Sequence, residues 1–149
     1  MTPRDAIDAV LDGVRAGGTA QIEGEGTQTE IEVVESDRLG VKVRRIRVER
    51  ERAYDVEALG ERWPKTVRQL PDRLKPVEIE PRLGGATLRS DPEDRVDDTF
   101  MEVEVRDRAA EVRRQRTTPS GREATDWSMT RDQLRGLLDA LSRDGAEEP

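Results

Sequence analysis

The sequence predicts an α+β fold: a mostly antiparallel, meandering sheet with N- and C-terminal amphipathic helices packed on one face. Apolar residues recur with helical spacing near both ends of the chain, as in helices that bury one side. Between them, short segments rich in valine and isoleucine are separated by turn residues, which is typical of strands. The 149 residues are predicted to form one domain, 1–149, with a frayed tail at 146–149.

The C-terminal helix has the clearest start in the sequence. Thr130 and Gln133 have the spacing of a capping box, in which the hydroxyl accepts a backbone N–H and the glutamine reaches back to the cap. Met129 and Leu134 flank this cap as a hydrophobic staple. The apolar stripe that follows consists of Leu134, Leu137, Leu138 and Leu141.

A similar helix is predicted at the N-terminus, over residues 3–16. Thr2 can cap it and Pro3 suits the first helical position, while Gly17 and Gly18 end it. Its apolar stripe consists of Ile7, Val10, Leu11 and Val14.

Strands are predicted at 19–23, 30–35, 41–52, 77–79, 86–89, 100–106, 111–117 and 122–129. Proline on both sides of 77–79 confines that strand to an edge of the sheet. In 41–52 the apolar side chains change phase, because Val41 and Val43 are at odd positions whereas Ile46 and Val48 are at even ones. Since side chains alternate between the two faces, a β-bulge near Arg44 is needed to bring all four to the core.

The connector over 53–75 has weaker signals. One short helix is predicted at 55–59, broken by Gly60, and Pro64 can start another that Pro71 ends. Trp63 lies in this connector and is expected to pack on the sheet.

Composition excludes several kinds of chemistry. The chain is 40% charged, 33% hydrophobic and 3% aromatic, with a net charge of −7. It contains no cysteine and no histidine, so thiolate catalysis is excluded and the commonest general base and metal ligand is missing. We find no nucleophile elbow and no phosphate-binding loop, and expect no cofactor. With no signal peptide or membrane span in the sequence, a cytoplasmic protein is expected.

The strongest candidate for a binding surface is the arginine run in strand 41–52. The run consists of Arg44, Arg45, Arg47, Arg50 and Arg52. Arg45 and Arg47 can share one face of a strand and bind carboxylates or phosphates, but Glu49 and Glu51 interleave and no aromatic residue stands among the arginines to stack bases. Three readings stay open here: charges paired within the sheet, a protein partner, or nucleic acid. Trp63 and Trp127 are large apolar anchors that belong either to the core or to an interaction hot spot. The predicted interaction surface consists of Arg44, Arg45, Arg47, Trp63 and Trp127.

The acidic loop over 91–98 carries five carboxylates and one arginine. Hard cations need several converging carboxylate oxygens, but the EF-hand pattern is absent. A solvated linker and a cation site are both compatible with the sequence, and the linker is the simpler reading.

The order of elements in this small acidic chain resembles the layout of type III secretion chaperones, although no residue motif carries that resemblance. It implies a dimer that holds a segment of a protein partner. Our leading hypothesis is a non-catalytic protein-binding adaptor or chaperone-like module. Its candidate surfaces are the sheet edge at 77–79, the bulged arginine strand and the apolar stripes of the helices, and one candidate partner is a second copy of the chain, in a homodimer. The alternative is a small-ligand-binding domain or enzyme that uses arginine and carboxylates in a sheet–helix cavity. A weak nucleic-acid binder is the third reading.

Overall fold

The computed structural model describes residues 3–95 and 97–146. Within these ranges it contains three α-helices, nine strands and one short 3₁₀ turn at Pro81–Leu83. The helices are α1 (Pro3–Asp12), α2 (Val56–Thr66) and α3 (Arg131–Leu141). The strands are β1 (Gly18–Gly24), β2 (Thr27–Ser36), β3 (Gly40–Arg50), β4 (Leu74–Glu80), β5 (Gly85–Ser90), β6 (Thr99–Arg106), β7 (Ala109–Thr118), β8 (Gly121–Thr125) and β9 (Trp127–Thr130). Thr2 and most of the predicted tail, 147–149, lie outside the described residues.

One antiparallel sheet contains all nine described strands, in the order β1-β2-β3-β7-β6-β5-β4, with β8 paired to β7 and β9 paired to β3. Two meanders, β1 to β3 and β4 to β7, meet where β3 pairs with β7. The predicted α+β class with a mostly antiparallel sheet is confirmed. Helix α2 joins the middle of the sheet to its far edge. Strands β1 and β4 are the two end strands of the main path, while β8 and β9 each pair with one neighbour in the described part of the chain.

The predicted β-bulge in β3 is confirmed at Arg44. Glu32 pairs with Arg45 and Val33 pairs with Val43, so Arg44 has no residue opposite it on β2. This extra residue changes the phase of the strand. As a result Val41, Val43, Ile46 and Val48 are all buried.

The same position is where β3 changes its other neighbour. Residues Arg45–Glu49 of β3 pair with β7, whereas Gly40–Val43 pair with β9. The single strand that was predicted at 122–129 is therefore wrong: it is two strands with Asp126 between them. Strands β3 and β7 pair no further than Arg45 and Arg113. Past that point β8 pairs with β7, and β9 pairs with β3.

The connector prediction was also wrong. Helix α2 runs without a break from Val56 to Thr66 and contains both Gly60 and Pro64. Gly60 is buried, and a Cβ added there would lie 2.9 Å from Cδ1 of Ile79 on β4. The glycine therefore permits close packing of α2 against the edge strand rather than ending the helix. Pro64 is in the last turn, so the helix continues for only two residues beyond the hydrogen bond that the missing N–H removes.

One hydrophobic cluster holds most of the buried apolar side chains of the strands and of the three helices. On β6, for example, Met101, Val103 and Val105 belong to it, while Glu102 and Glu104 alternate with them. We call the side of the sheet that bears these alternating residues the outer face. The capping box of α3 is confirmed, since Thr130 Oγ1 accepts the Gln133 N–H at 3.0 Å and Gln133 Oε1 accepts the Thr130 N–H at 2.9 Å.

Candidate interaction surface

The three predicted arginines lie together at the bulge of β3, but their environments differ. Arg45 donates from Nη1 to Glu30 on β2 at 3.2 Å and from Nε to Glu111 on β7. The pKa of the Arg45 guanidinium is raised above its ordinary value, mainly by the hydrogen bond with Glu111. The negative charges of Glu111 and Glu30 also raise it, whereas burial opposes them. Arg45 is therefore a fully charged group that the sheet itself neutralises.

Arg47 and Arg44 are less constrained. Arg47 is half-buried, and its guanidinium lies 4.0 Å from the Glu49 carboxylate, which is a weak contact. Arg44 is exposed, and no carboxylate of the described residues lies within 4 Å of its guanidinium. We call Arg44, Arg45 and Arg47 the bulge patch. Its charge is partly neutralised, and Arg44 is the member that is left to bind something else.

The bulge patch belongs to a wider pattern of charges across the outer face. One row of paired residues crosses five strands: Glu32, Arg45, Arg113, Glu102 and Arg89. Three of the four neighbouring pairs in this row join opposite charges, and each such pair stabilises a sheet by about 0.2–1 kcal/mol. The fourth pair, Arg45 and Arg113, has like charges, which the adjacent glutamates offset. The arginines of β7 meet the glutamates of β6 in the same way, since Arg113 contacts Glu104 at 3.2 Å.

Sequence reasoning missed a second cluster in this row, around Glu102. This carboxylate is buried and accepts hydrogen bonds from Arg89 Nε at 2.8 Å and Gln115 Nε2 at 3.4 Å. Arg122 of β8 adds an ion pair at 3.6 Å. The guanidinium of Arg122 also lies over the neighbouring Phe100 ring, 5.2 Å from its centroid. No signal in the sequence indicated this burial, because it depends on β8 folding back against β7.

The two tryptophans are not part of any surface. Trp63 is 0% exposed and Trp127 is 2% exposed, so their side chains cannot contact a partner in this conformation. Trp63 packs edge-on against Tyr54, with ring centroids 5.6 Å apart, and donates from Nε1 to the Arg143 carbonyl at 2.7 Å. The predicted surface is thereby reduced to its three arginines, and both tryptophans are core residues.

A deeply buried ion pair joins β3 to the segment after α3. Arg50 Nη2 lies 2.9 Å from Asp144 Oδ2, and their side chains are only 5% and 2% exposed. Arg50 also donates to the carbonyls of Ala53 and Ser142, and its guanidinium stacks 3.9 Å from the centre of the Tyr54 ring. Because both charges are buried and paired, this contact holds the C-terminal segment in place and offers no accessible site.

A cleft of about 740 Å³ lies between α3, α1 and the β1–β2 hairpin. Its apolar lining includes Ile7, Ile22 and Leu138, and its polar lining includes Glu25 and Asp139. Two ion pairs neutralise part of its charge: Arg135 of α3 binds Asp8 of α1 at 2.6 Å and Asp132 of its own helix at 2.7 Å. The volume is in the range of small-ligand sites, and the charge that remains at the rim is acidic.

The acidic loop is tied to the rest of the chain through arginine. Arg73 binds Asp94 at 2.9 Å and lies 3.7 Å from Asp91. The hydrogen bond with Arg73 lowers the pKa of Asp94. Over 3–95 and 97–146, no group of three acidic side chains is arranged to hold a metal ion.

None of the described helices is long and apolar enough to cross a membrane. Comparisons with protein-family models, with curated proteins and with solved structures found no significant match. The resemblance to type III secretion chaperones therefore gains no support from them, and a function has to be argued from the geometry of this chain.

Proposed function

We propose that this chain is a non-catalytic protein-binding module, of the adaptor or chaperone-like kind, that binds an acidic segment of a protein partner at the bulge patch. In this proposal the terminal helices cover one face of the sheet, and the outer face is left for the partner. We place the protein in the cytoplasm, where such a module meets its clients.

The observation that carries the proposal is the difference between Arg44 and Arg45. Both arginines lie in one bulge, yet Arg45 binds two glutamates while Arg44 is exposed without a carboxylate nearby. Bulges commonly redirect a side chain or end a pairing beside a functional site. The planar guanidinium of arginine can form two parallel, charge-assisted hydrogen bonds with one carboxylate, so less conformational freedom is lost for each hydrogen bond than with lysine.

A protein partner suits this surface better than nucleic acid. Phosphate backbones are bound by several cations that act together, but Arg45 is already bound by two glutamates of the sheet, and Arg47 has Glu49 4.0 Å away. Glu32 and Glu49, which flank the patch on β2 and β3, would repel a polyanion. An acidic protein segment can place one carboxylate at Arg44 and turn the rest of its chain away from these glutamates.

The test compares two charge reversals in affinity isolation from the native cells. Arg44→Glu removes the free cation of the bulge patch, whereas Arg82→Glu makes the same change at another exposed arginine, in the 3₁₀ turn beside β5. We expect a discrete polypeptide to bind the wild-type chain and the Arg82→Glu variant, and to be lost with Arg44→Glu. Equal recovery by all three chains, or loss of binding after nuclease treatment, would contradict the proposal.

The cleft between α3 and the β1–β2 hairpin favours a second candidate function, the binding of a small cationic ligand with an apolar part. Its apolar floor and the acids Glu25 and Asp139 support this reading. An NMR screen of amine-containing fragments is the direct test. Chemical-shift changes confined to Ile22, Leu138 and their neighbours, and lost in Asp139→Arg, would support the candidate; the absence of any saturable change at the cleft would rule it out.

A further inference from the structure

Strand β1 is an unprotected edge of the sheet. Its seven residues pair only with β2, in continuous register from Gly18–Val33 to Gly24–Thr27. It contains neither proline nor lysine, and its register shows no bulge. Elsewhere in the described part of the chain, no backbone hydrogen bond reaches the free side of this strand. Such an edge presents a row of free N–H and C=O groups to another strand.

The opposite edge, β4, has the devices that normally prevent pairing. Pro76 lies within it, the register with β5 shifts between Pro76 and Glu78, and Lys75 precedes them. Glu78 and Glu80 add two carboxylates on the same strand, and the hydrogen bond from one to the other raises the pKa of Glu80. Proline, a bulge and charge together block strand addition. The chain thus protects one edge and leaves the other open.

The sequence of β1 is complementary to itself. When two copies pair antiparallel about a two-fold axis at Gln21, Gln21 faces Gln21, Ala20 faces Ile22 and Thr19 faces Glu23, with glycine at both ends. The larger isoleucine then lies beside the smaller alanine on the core side. Glu23, the one charged residue of β1, faces a threonine rather than another acid. Like charges directly opposite one another would be destabilising, and this register has none.

We infer that β1 is a self-recognition edge, at which a second copy of this chain adds its own β1 and joins the two nine-stranded sheets into one. Backbone hydrogen bonds supply the affinity, as in other cases of strand addition. The cleft beside Ile22 and Gly24 leaves room on the helix side for side chains of the second copy. A single short strand pair buries less surface than a standard stable interface, so the dimer dissociates on dilution. This edge is separate from the bulge patch, and the inference does not depend on the proposed partner.

The test uses charge at the two-fold axis, because Gln21 is exposed and does not take part in the core. Sedimentation equilibrium over a range of concentrations measures the dimer for wild type, Gln21→Lys, Gln21→Glu and an equimolar mixture of the two variants. We expect each variant alone to dimerise up to about fivefold more weakly than wild type, because like charges then meet. The mixture should associate up to about thirtyfold more tightly than either variant alone, because lysine then faces glutamate.

Two controls locate the contact. Val77→Lys adds the same charge to the protected edge β4, where Val77 is 54% exposed, and should leave dimerisation unchanged. Arg44→Glu should also leave it unchanged, so that failure of the dimer and failure of the partner-binding proposal are distinguished. A wild type that stays monomeric at all concentrations, a mixture no tighter than its components, or a loss of the dimer in Val77→Lys instead of Gln21→Lys would overturn the inference. Circular dichroism and thermal unfolding check that every variant is folded.

Discussion

Substitution of Asp144 by asparagine is the sharpest test of how the C-terminal segment is held. The carboxylate is 2% exposed and lies 2.9 Å from Arg50 Nη2. It also accepts the N–H of Asp55 at 2.8 Å and that of Ala146 at 2.9 Å. Asparagine keeps the shape of the side chain but leaves the Arg50 charge buried without a counter-charge.

Removing one partner of a buried ion pair costs about 3–5 kcal/mol. Arg50 keeps its hydrogen bonds to the carbonyls of Ala53 and Ser142, so we expect the lower end, about 3 kcal/mol in the free energy of unfolding. For a chain of this size that corresponds to a fall in Tm of about 6–12 °C. Urea unfolding followed by tryptophan fluorescence measures it, because Trp63 donates a hydrogen bond to the adjacent Arg143 carbonyl.

The matched control is Asp139→Asn, five residues earlier. Asp139 pairs with Arg143 at 3.6 Å, but both side chains are more than half exposed, so the loss should not exceed about 0.5 kcal/mol. The double variant Arg50→Met, Asp144→Leu should lose less free energy of unfolding than Arg50→Met and Asp144→Leu lose together as single variants, because no unpaired charge is left buried. If Asp144→Asn costs no more than Asp139→Asn, or if the two single costs add, then the buried pair does not hold this segment.

Three further predictions follow from single contacts. Thr130→Ala should lower the free energy of unfolding by about 1 kcal/mol through loss of the α3 cap, while Thr130→Ser should retain it; equal losses in denaturant titrations would contradict the role of the hydroxyl. Gly60→Ala should raise the free energy of unfolding by up to about 1 kcal/mol, because alanine has the higher helix propensity. The gain should be larger in an Ile79→Ala background, where the added Cβ no longer meets Cδ1 of Ile79 at 2.9 Å. An equal gain in both backgrounds would show that the contact is irrelevant. The hydrogen bond from Arg131 holds the pKa of Asp8 below its ordinary value of 3.8, against desolvation, so this contribution to stability is present above pH 3.8 and is lost as the pH falls through the folded-state pKa. NMR titration of the Asp8 carboxyl should show a low midpoint that rises in Arg131→Gln, and an unchanged midpoint would contradict it.

Local signals in the sequence were sufficient for features that neighbouring residues determine. The phase change between Val43 and Ile46 located the bulge, because strand alternation leaves no other way to bury both. The spacing of Thr130 and Gln133 located the start of α3 for the same reason, since a capping box joins residues of one turn. Prolines around 77–79 placed that strand at an edge.

Features that depend on distant segments could not be predicted in this way. Gly60 interrupts a helical pattern when it is considered alone, and only the approach of Ile79 explains why it lies inside α2. The burial of Asp144 requires Arg50 to reach it across 94 positions of sequence, so nothing in the residues around 144 indicated it. Asp126 divides one predicted strand in two because β3 and β7 separate there, and no local residue pattern reports that separation.

The three arginines Arg44, Arg45 and Arg50 show why composition alone was a poor guide to function in this chain. They lie on one strand, yet one is exposed, one is half-buried between two glutamates, and one is buried against Asp144. The bulge causes these different environments, because it moves the side chains that follow it to the other face of the sheet. Arg50 therefore points toward the core, as Ile46 and Val48 do. Without the extra residue at position 44, Arg50 would face outward and Asp144 would be left buried without a cation. The bulge that exposes the candidate binding residue is therefore the same feature that stabilises the C-terminal segment, and a variant that deletes Arg44 should lose both partner binding and stability, whereas Arg44→Glu should lose binding alone.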